Sequence, residues 1–252
     1  MLNEERRRRI QEIISQKKRI LVKEISNNFN ISEVTIRKDL EILEKRGILT
    51  KVHGGAILNQ SSIIDLALTE KERIYPREKD RIAQKAQEMI NYGDVIILDS
   101  GSTTTQIARH IKFKKGIKVI TNAINIASEL AASEIELILT GGILREKSFS
   151  LVGPIAEDTL RKVTADKLFL GVDGVDFHFG LTTPNVLEAK VNELMVKAAS
   201  EVILVSDSSK FGRRRMGVID KITTVDKIIT DKNIPQEVLN RLKAMDIEVF
   251  TV

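Results

Sequence analysis

The sequence predicts an α/β protein in two parts, a small basic helical domain followed by a larger domain built on a parallel sheet. Residues 1–58 carry short apolar stripes at helical spacing. Beyond Pro76, short apolar β-rich runs alternate with amphipathic helices, the order typical of a parallel sheet covered on both faces. A chain of 252 residues with 42% hydrophobic content is long enough to bury two cores. We therefore expect domains at 1–58 and 76–252, joined by a linker at 59–75 where the periodicity weakens.

The N-terminal part has the pattern of a helix-turn-helix. A first helix is expected at about 3–15, and the apolar stripe of the next helix comprises Leu21, Val22, Ile25 and Phe29. That stripe ends at Asn30, where a tight turn can lead into a third helix that begins with Ser32 as its N-cap and ends near Gly47. The buried face of the third helix consists of Ile36, Leu40 and Leu43.

The outer face of the third helix predicts contact with DNA. A helix that offers short polar and basic groups near its N-terminus suits the major groove, and the segment after it resembles a wing that touches the backbone or the minor groove. The predicted DNA-binding residues are Ser32, Thr35, Arg37, Lys38, Lys51 and His53.

Charge is distributed unevenly along the chain. The first 58 residues contain 13 Lys and Arg against 8 Asp and Glu, whereas the remainder contains 27 of each, so the whole formal excess of +5 lies in the N-terminal part. A basic module joined to a neutral one fits a phosphate-binding domain attached to a regulatory or catalytic domain. The arginine run at 6–9 is either a solvated helix face or a phosphate contact.

Composition excludes several classes of protein. The chain has no Cys, and its three His lack the spacing of metal ligands, so we expect no disulfide, no metal and no cofactor. Because no apolar run approaches the ~18 residues of a membrane span, we expect a cytoplasmic protein with no membrane partner.

The second domain is predicted to contain seven strands and six helices. The strands are expected at 95–98, 118–121, 136–140, 167–170, 202–205, 227–230 and 248–251. The helices are expected at 78–90, 103–111, 123–132, 154–163, 186–199 and 236–245.

Polar residues follow five of these strands. Ligands of open parallel sheets bind outside the carboxyl ends of the strands, and although one polar end is ordinary turn chemistry, five together indicate a common site. The segment 100–104 leads directly into a helix and is predicted to cradle a phosphate, with a Ser/Thr-rich cap as the alternative. The candidates at these ends are Asp99, Ser100, Gly101, Ser102, Thr103, Thr104, Asn122, Gly141, Gly142, Asp173, Asp207 and Lys210.

In their order and spacing, these motifs resemble those of the DeoR family of bacterial transcriptional regulators. The matching segments are Ser-Glu-Val-Thr-Ile-Arg-Lys-Asp-Leu at 32–40, His-Gly-Gly-Ala at 53–56, Asp-Ser-Gly-Ser-Thr-Thr at 99–104, Gly-Gly at 141–142, Leu-Val-Gly-Pro at 151–154 and Gly-Val-Asp-Gly at 171–174. Where many members read Arg-Arg, this chain has Arg37 and Lys38, which keeps the charge but loses one bidentate fork. The resemblance implies binding to double-stranded operator DNA. It also implies an effector domain similar to the fold shared by ribose-5-phosphate isomerase and glucosamine-6-phosphate deaminase.

The resemblance also implies residues that contact a phosphorylated effector. Lys79, Asp207 and Lys210 match positions that the family uses to sense its inducer, and Arg73 lies near another. Lys210 can neutralise a phosphate while Asp207 accepts sugar hydroxyls, the alternative being a surface ion pair. Asp99 and Asp173 are either sugar-hydroxyl acceptors or turn residues that bond their own backbone.

One segment resembles the branch of the family that controls N-acetylgalactosamine and galactosamine use. It reads Gly-Leu-Thr-Thr-Pro-Asn at 180–185 and is followed by Glu188, whose carboxylate suits a polar sugar. This points to an amino-sugar phosphate as the effector. The same Thr-Pro-Asn can equally cap the helix that begins near Val186.

Two functions are compatible with these observations. The first is a repressor of a sugar or amino-sugar operon. It is expected to be a homo-oligomer (dimer or tetramer) whose repression is relieved by a phosphorylated sugar bound in the C-terminal domain. The second is a sugar-phosphate isomerase or deaminase with an appended DNA-binding head, in which Asp173 and Glu188 serve as the acid/base pair. We favour the repressor, which is not an enzyme.

Overall fold

The computed structural model describes residues 3–45, 48–58 and 65–252. The chain forms two compact units, unit 1 (Met1–Leu66) and unit 2 (Ala67–Val252). Gly47, expected to end the third helix, and residues 59–64 of the expected linker lie outside the described residues.

Unit 1 is a three-helix domain with a small antiparallel sheet. Its elements are α1 (Asn3–Lys17), β1 (Arg19–Leu21), α2 (Val22–Phe29), α3 (Glu33–Lys45), β2 (Leu49–Val52) and β3 (Gly55–Leu58). Asn30 adopts the left-handed conformation (φ 53°), which makes the tight turn between α2 and α3. The hairpin β2–β3 is the predicted wing, and β1 pairs with its second strand. Leu21 differs from the prediction, because it belongs to β1 and is exposed rather than part of the buried stripe.

The arginine run at 6–9 divides into two kinds of residue. Arg6 is only 6% exposed, and its Nε lies 2.5 Å from Oδ2 of Asp39, while the Nε of Arg7 lies 2.8 Å from Oδ1 of the same carboxylate. Both arginines thus tie α1 to α3 and are neither a solvated face nor free for phosphate. Arg8 and Arg9 match the solvated alternative, because their ion pairs on α1 are exposed.

Unit 2 contains every strand predicted beyond residue 76. Its elements are α4 (Leu68–Glu72), α5 (Pro76–Glu88), β4 (Val95–Leu98), α6 (Ser102–Ile111), β5 (Lys118–Thr121), α7 (Ile124–Leu130), β6 (Glu136–Leu139), β7 (Ile143–Arg145), β8 (Ser150–Val152), α8 (Pro154–Leu160), β9 (Ala165–Leu170), β10 (Gly174–Asp176), β11 (Gly180–Thr183), α9 (Val186–Ala198), β12 (Ala199–Val205), β13 (Gly217–Asp220), β14 (Lys227–Thr230), α10 (Gln236–Lys243) and β15 (Glu248–Thr251).

A seven-stranded sheet forms the centre of unit 2. Its strand order is β15-β14-β12-β9-β4-β5-β6, and every pair is parallel. Both faces are covered, because α5, α6 and α7 supply one apolar core and α8, α9 and α10 the other. Ile96 and Leu98 of β4 point into the first core and Ile97 into the second, the alternation expected of a strand buried on both sides. The predicted α/β class is confirmed.

Three features of unit 2 depart from the predicted elements. A small antiparallel sheet joins β10, β11 and β13, and β7 and β8 form a hairpin. Residues 67–75, expected to be linker, contribute α4, whose Leu68 is buried and whose first amide donates to the carbonyl of Lys147 at 2.7 Å. Among the described helices, none is long and apolar enough to cross a bilayer.

Candidate functional site

The third helix of unit 1 presents an exposed polar face. Ser32 Oγ accepts the amide of Thr35 at 3.3 Å, so Ser32 acts as the predicted cap. Arg37 and Lys38 are exposed on the next turn, and a guanidinium nitrogen of Arg37 lies 2.8 Å from Glu33. An exposed pair of this kind contributes little to stability, so the Arg37 side chain can exchange Glu33 for another anion at small cost.

The wing is fixed to α3 and to β1. Lys51 donates its amide to Glu44 at 2.7 Å and its Nζ to Glu41 at 3.0 Å, while His53 is exposed at the tip of the hairpin. Position 55 requires glycine, because a Cβ there would lie 2.1 Å from the carbonyl oxygen of Ile20. The third helix and the wing are therefore held together, and they form one surface that carries basic residues.

Unit 2 has a cleft at the carboxyl ends of its central strands. The chain runs from β4 outward to β5 and β6, then crosses to β9 and β12 on the other side, so the point where the direction reverses lies between β4 and β9. Open α/β sheets bind ligands at such a point. The cleft lies where Asp99, Gly171 and Ser206 follow these strands.

Ten of the predicted effector residues line this cleft. They are Lys79, Asp99, Ser100, Gly101, Ser102, Thr103, Asp173, Glu188, Asp207 and Lys210. Thr104 is fully buried, and its hydroxyl turns back to the carbonyl of Gly101 at 2.9 Å. Arg73 is exposed and is not among the lining residues.

Asn122, Gly141 and Gly142 do not reach the cleft, so the five strand ends do not form one site. They follow β5 and β6, which lie beyond β4 in the sheet, and the β7–β8 hairpin covers them. Asn122 donates its Nδ2 to the carbonyl of Leu151 at 3.2 Å. Gly142 (φ +122°) allows the close approach of β8, because a Cβ would lie 2.7 Å from the oxygen of Val152. Asn122 and Gly142 thus contact β8 rather than the cleft.

The segment 100–103 has the geometry of an anion cradle. Gly101 is the N-cap of α6 without a side-chain cap, and its carbonyl accepts the amide of Thr105 at 2.9 Å. The amides before Thr105 have no acceptor within a helix, and they lie at the positive end of the helix dipole. Ser102 and Thr103 line the cleft there, so an anion in it would meet backbone donors.

Three lysines and two aspartates form the charged half of the cleft. Lys71 Nζ lies 2.7 Å and Lys210 Nζ 3.5 Å from the carboxylate of Asp173. Burial by itself raises the pKa of Asp173, but Lys71 and Lys210 outweigh it and hold that pKa far below its usual range. Burial likewise raises the pKa of Asp207, which Lys210 and Lys79 bring below its ordinary value. Both carboxylates are therefore ionised, and neither belongs to a surface ion pair.

Lys79 lies at the same end of the cleft and is held by main-chain oxygens. Its Nζ donates to the carbonyls of Lys71 at 2.5 Å and Ile74 at 2.7 Å. Burial lowers its pKa to about 8, so it is mostly protonated at neutral pH. Neutral carbonyls do not cancel its charge, which remains available to an anion.

The other half of the cleft is acidic. Burial, followed by the nearby carboxylate of Glu188, raises the pKa of Asp99 to about 8. Glu188 bonds Arg145 at 2.7 Å and Ser150 at 2.9 Å. Asn185 caps α9 by accepting the amides of Leu187 and Glu188, which matches the alternative interpretation of the Thr-Pro-Asn segment. No group of acidic or His residues within the described ranges could hold a metal ion.

Sequence reasoning missed some lining residues. Lys71 lies in a short polar helix that carries no apolar periodicity, and Ser148 lies in the turn of the β7–β8 hairpin. Asn192 follows Glu188 by one helical turn on α9, and this spacing was the available signal.

Comparison with known proteins decides the family. Residues 6–62 match the DeoR-like helix-turn-helix domain, and residues 75–232 match the DeoR C-terminal sensor domain. The chain belongs to the DeoR family. It is 38% identical to a protein named as an aga operon transcriptional repressor of Escherichia coli O157:H7, over 98% of this chain and 93% of that protein. It is 37% identical to the regulator GlpR of Haloferax volcanii, over 99% and 98%.

The DeoR-family chain is therefore a DNA-binding transcriptional regulator with a C-terminal sensor domain, and not an enzyme. A third relative, the glycerol-3-phosphate regulon repressor of Escherichia coli K12, is 30% identical over 99% of each chain. Among solved structures, ribose 5-phosphate isomerase A of Methanocaldococcus jannaschii matches 53% of each chain at 19% identity with a TM-score of 0.40. A likeness that weak supports no conclusion about function.

Proposed function

We propose that this DeoR-family regulator represses genes for the use of a sugar or amino sugar, and that a phosphorylated sugar bound in the cleft relieves the repression. The observation that carries the proposal is the pairing, in one cleft, of an amide cradle at 100–103 with the ammonium groups of Lys71, Lys79 and Lys210. Cations and helix-start amides suit a phosphate. The opposite, acidic half suits the hydroxyl or amino groups of a sugar.

The contacts of α4 support a route from the ligand to the DNA-binding domain. Lys71 of α4 bonds Asp173 in the cleft, and Lys79 holds the carbonyls of Lys71 and Ile74 at the end of the same helix. A phosphate that draws Lys71 or Lys79 away would loosen α4. Because α4 is the first element after the segment that leads to unit 1, its displacement would act on that connection. The two-fold symmetry usual in such DNA readers favours a homo-oligomer.

Thermal shift and DNA binding together test the proposal. Sugar phosphates at a hundred times their dissociation constant are expected to stabilise the full chain by about 2.7 kcal/mol. Fluorescence anisotropy with duplexes selected from a random library is expected to show salt-sensitive binding that these ligands weaken. Unphosphorylated sugars are the control. The proposal fails if no duplex binds, or if neutral sugars stabilise the protein and phosphorylated ones do not.

We further propose that Arg37, Lys38, Thr35, Lys51 and His53 contact the operator while Ser32 holds the start of α3. Arg37→Ala is expected to weaken specific binding by about 1 to 3 kcal/mol if the guanidinium contacts a base. If it contacts a phosphate, the slope of log affinity against log salt falls by about one instead. Anisotropy at several salt concentrations separates the two, with Arg8→Ala on α1 as the matched control. Unchanged affinity and slope would exclude both.

A further inference from the structure

An orphaned acceptor lies in the acidic half of the cleft. Asn192 is 5% exposed and lines the cleft, and its Nδ2 donates to Oδ2 of Asp99 at 3.3 Å. No donor within the described residues reaches its Oδ1, which is itself shielded from solvent. A buried carbonyl oxygen without a partner destabilises the protein, so a ligand that supplies a donor recovers that loss.

The groups around Asn192 offer acceptors and few free donors. Thr104 Oγ1 lies 3.4 Å from Asp99 Oδ1, but its hydroxyl hydrogen is engaged with the carbonyl of Gly101 at 2.9 Å. Glu188 Oε2 receives the hydroxyl of Thr183 at a long 3.5 Å. Both carboxyl groups therefore keep room for further donors. The hydroxyl of Ser148 is engaged with Ser150 at 2.8 Å.

Two carboxyl groups, those of Asp99 and Glu188, line the cleft beside Asn192. Burial, and after it the nearby carboxylate of Glu188, raises the pKa of Asp99 to about 8, so Asp99 is mostly protonated at neutral pH. Arg145 neutralises Glu188 from one side at 2.7 Å, and nothing comparable bonds Asp99 among the described residues. A cationic donor at this place would favour the ionised form of Asp99 and satisfy Asn192 Oδ1.

We propose that Asn192 Oδ1, with Asp99 and Glu188, receives a protonated amine of the effector and thereby selects amino-sugar phosphates over neutral and N-acetylated ones. This inference rests on the proposed function and names the ligand class of the same cleft. An ammonium group supplies three donors and a positive charge, whereas the carbonyl oxygen of an acetamide would face three acceptors. A hydroxyl satisfies the acceptors but brings no charge, so neutral sugar phosphates rank between the two.

Binding of eight probes to the wild-type chain and three variants tests the inference. The probes are glucosamine 6-phosphate, glucose 6-phosphate, 2-deoxyglucose 6-phosphate and N-acetylglucosamine 6-phosphate, together with their galacto counterparts, measured by titration calorimetry. The wild type is expected to bind the amine at least tenfold more tightly than the N-acetylated probe. Asn192→Leu is expected to reduce the preference for amine over 2-deoxy sugar by about tenfold and to change affinity for the 2-deoxy sugar less than threefold.

Two further variants make the outcome decisive. Asn192→Asp keeps the shape of the side chain and adds a negative charge, so it is expected to increase the preference for the amine even if Asn192→Leu does not fold. Asn125→Leu is the matched control, because Asn125 also has an orphaned Oδ1 but lies on α7 outside the cleft. It is expected to leave all ratios unchanged.

Failure of the inference can be told apart from failure of the proposed function. If no phosphorylated probe binds the wild type, the proposed function fails and the inference with it. If phosphorylated probes bind, but the wild type prefers the N-acetylated probe or the ratios survive in both Asn192 variants, only the role of Asn192 is overturned.

Discussion

Asp39→Ala is expected to unfold unit 1 at temperatures where unit 2 remains folded, and to abolish DNA binding. Asp39 is 1% exposed and holds both Arg6 and Arg7, so its loss leaves the nearly buried guanidinium of Arg6 without that carboxylate. Removing one partner of a buried ion pair costs about 3 to 5 kcal/mol. A domain of this size has a total stability of only about 3 to 10 kcal/mol. Two-stage thermal unfolding by circular dichroism and anisotropy with a selected duplex measure the effect.

Glu12→Ala is the matched control for this prediction. Glu12 also pairs with an arginine of α1, but the pair is exposed and lies 3.2 Å apart. Exposed pairs contribute about 0 to 1 kcal/mol, so this variant should melt and bind DNA like the wild type. Equal losses of stability in the two variants, or an unchanged melting temperature for Asp39→Ala, would show that the buried ion pairs of Asp39 do not hold α1 on α3.

This arrangement changes what the basic charge of unit 1 means. From charge alone, four consecutive arginines in a chain segment with an excess of +5 are compatible with either a phosphate contact or a solvated helix face. The structure uses two of them internally, since the helical period turns Arg6 inward against α3 while Arg8 and Arg9 face solvent. A charge count therefore overstates the DNA-facing charge, because it does not register which side of a helix each residue occupies.

The sequence was most informative about the strands and least about how their ends are arranged in space. The apolar run at 95–98 is bounded by polar residues, and the predicted bounds of β4 therefore agree with the observed ones. The polar ends after β4, β9 and β12 lie together, whereas those after β5 and β6 do not. Strand order decides this, and order depends on contacts between distant segments rather than on local composition.

The features that the sequence did not reveal share one physical reason. The β10–β11–β13 sheet pairs residues 174–183 with 217–220 across some thirty-five residues, and its strands are rich in Gly and Thr rather than in alternating apolar residues. Helix α4 has five residues and one buried apolar side chain. Both elements are defined by tertiary contacts, and through α4 this applies to Lys71, which no local pattern marks as a cleft residue.

Asp173→Asn is expected to destabilise unit 2 by about 2 to 4 kcal/mol in the absence of ligand, and inorganic phosphate is expected to recover much of that loss. The carboxylate of Asp173 lies between the ammonium groups of Lys71 and Lys210, all three side chains being 14 to 18% exposed. Their residual exposure places the cost below that of a fully buried pair. Phosphate restores negative charge next to the same lysines and binds only the folded state.

The pH dependence of this loss follows from the depressed pKa of Asp173. A carboxyl whose folded pKa is lowered contributes stability above its unfolded pKa of about 3.9, and loses it as pH falls toward the folded value. The difference between wild type and variant should thus stay constant from pH 7 to pH 5 in urea unfolding. Asp158→Asn, which breaks an exposed pair with Arg161, should cost less than about 0.5 kcal/mol. In Asp173→Asn, the ammonium groups of Lys71 and Lys210 have lost the carboxylate that they share, so their positive charge is available to phosphate. If phosphate stabilises this variant no more than the wild type, then Lys71 and Lys210 do not form the anion site.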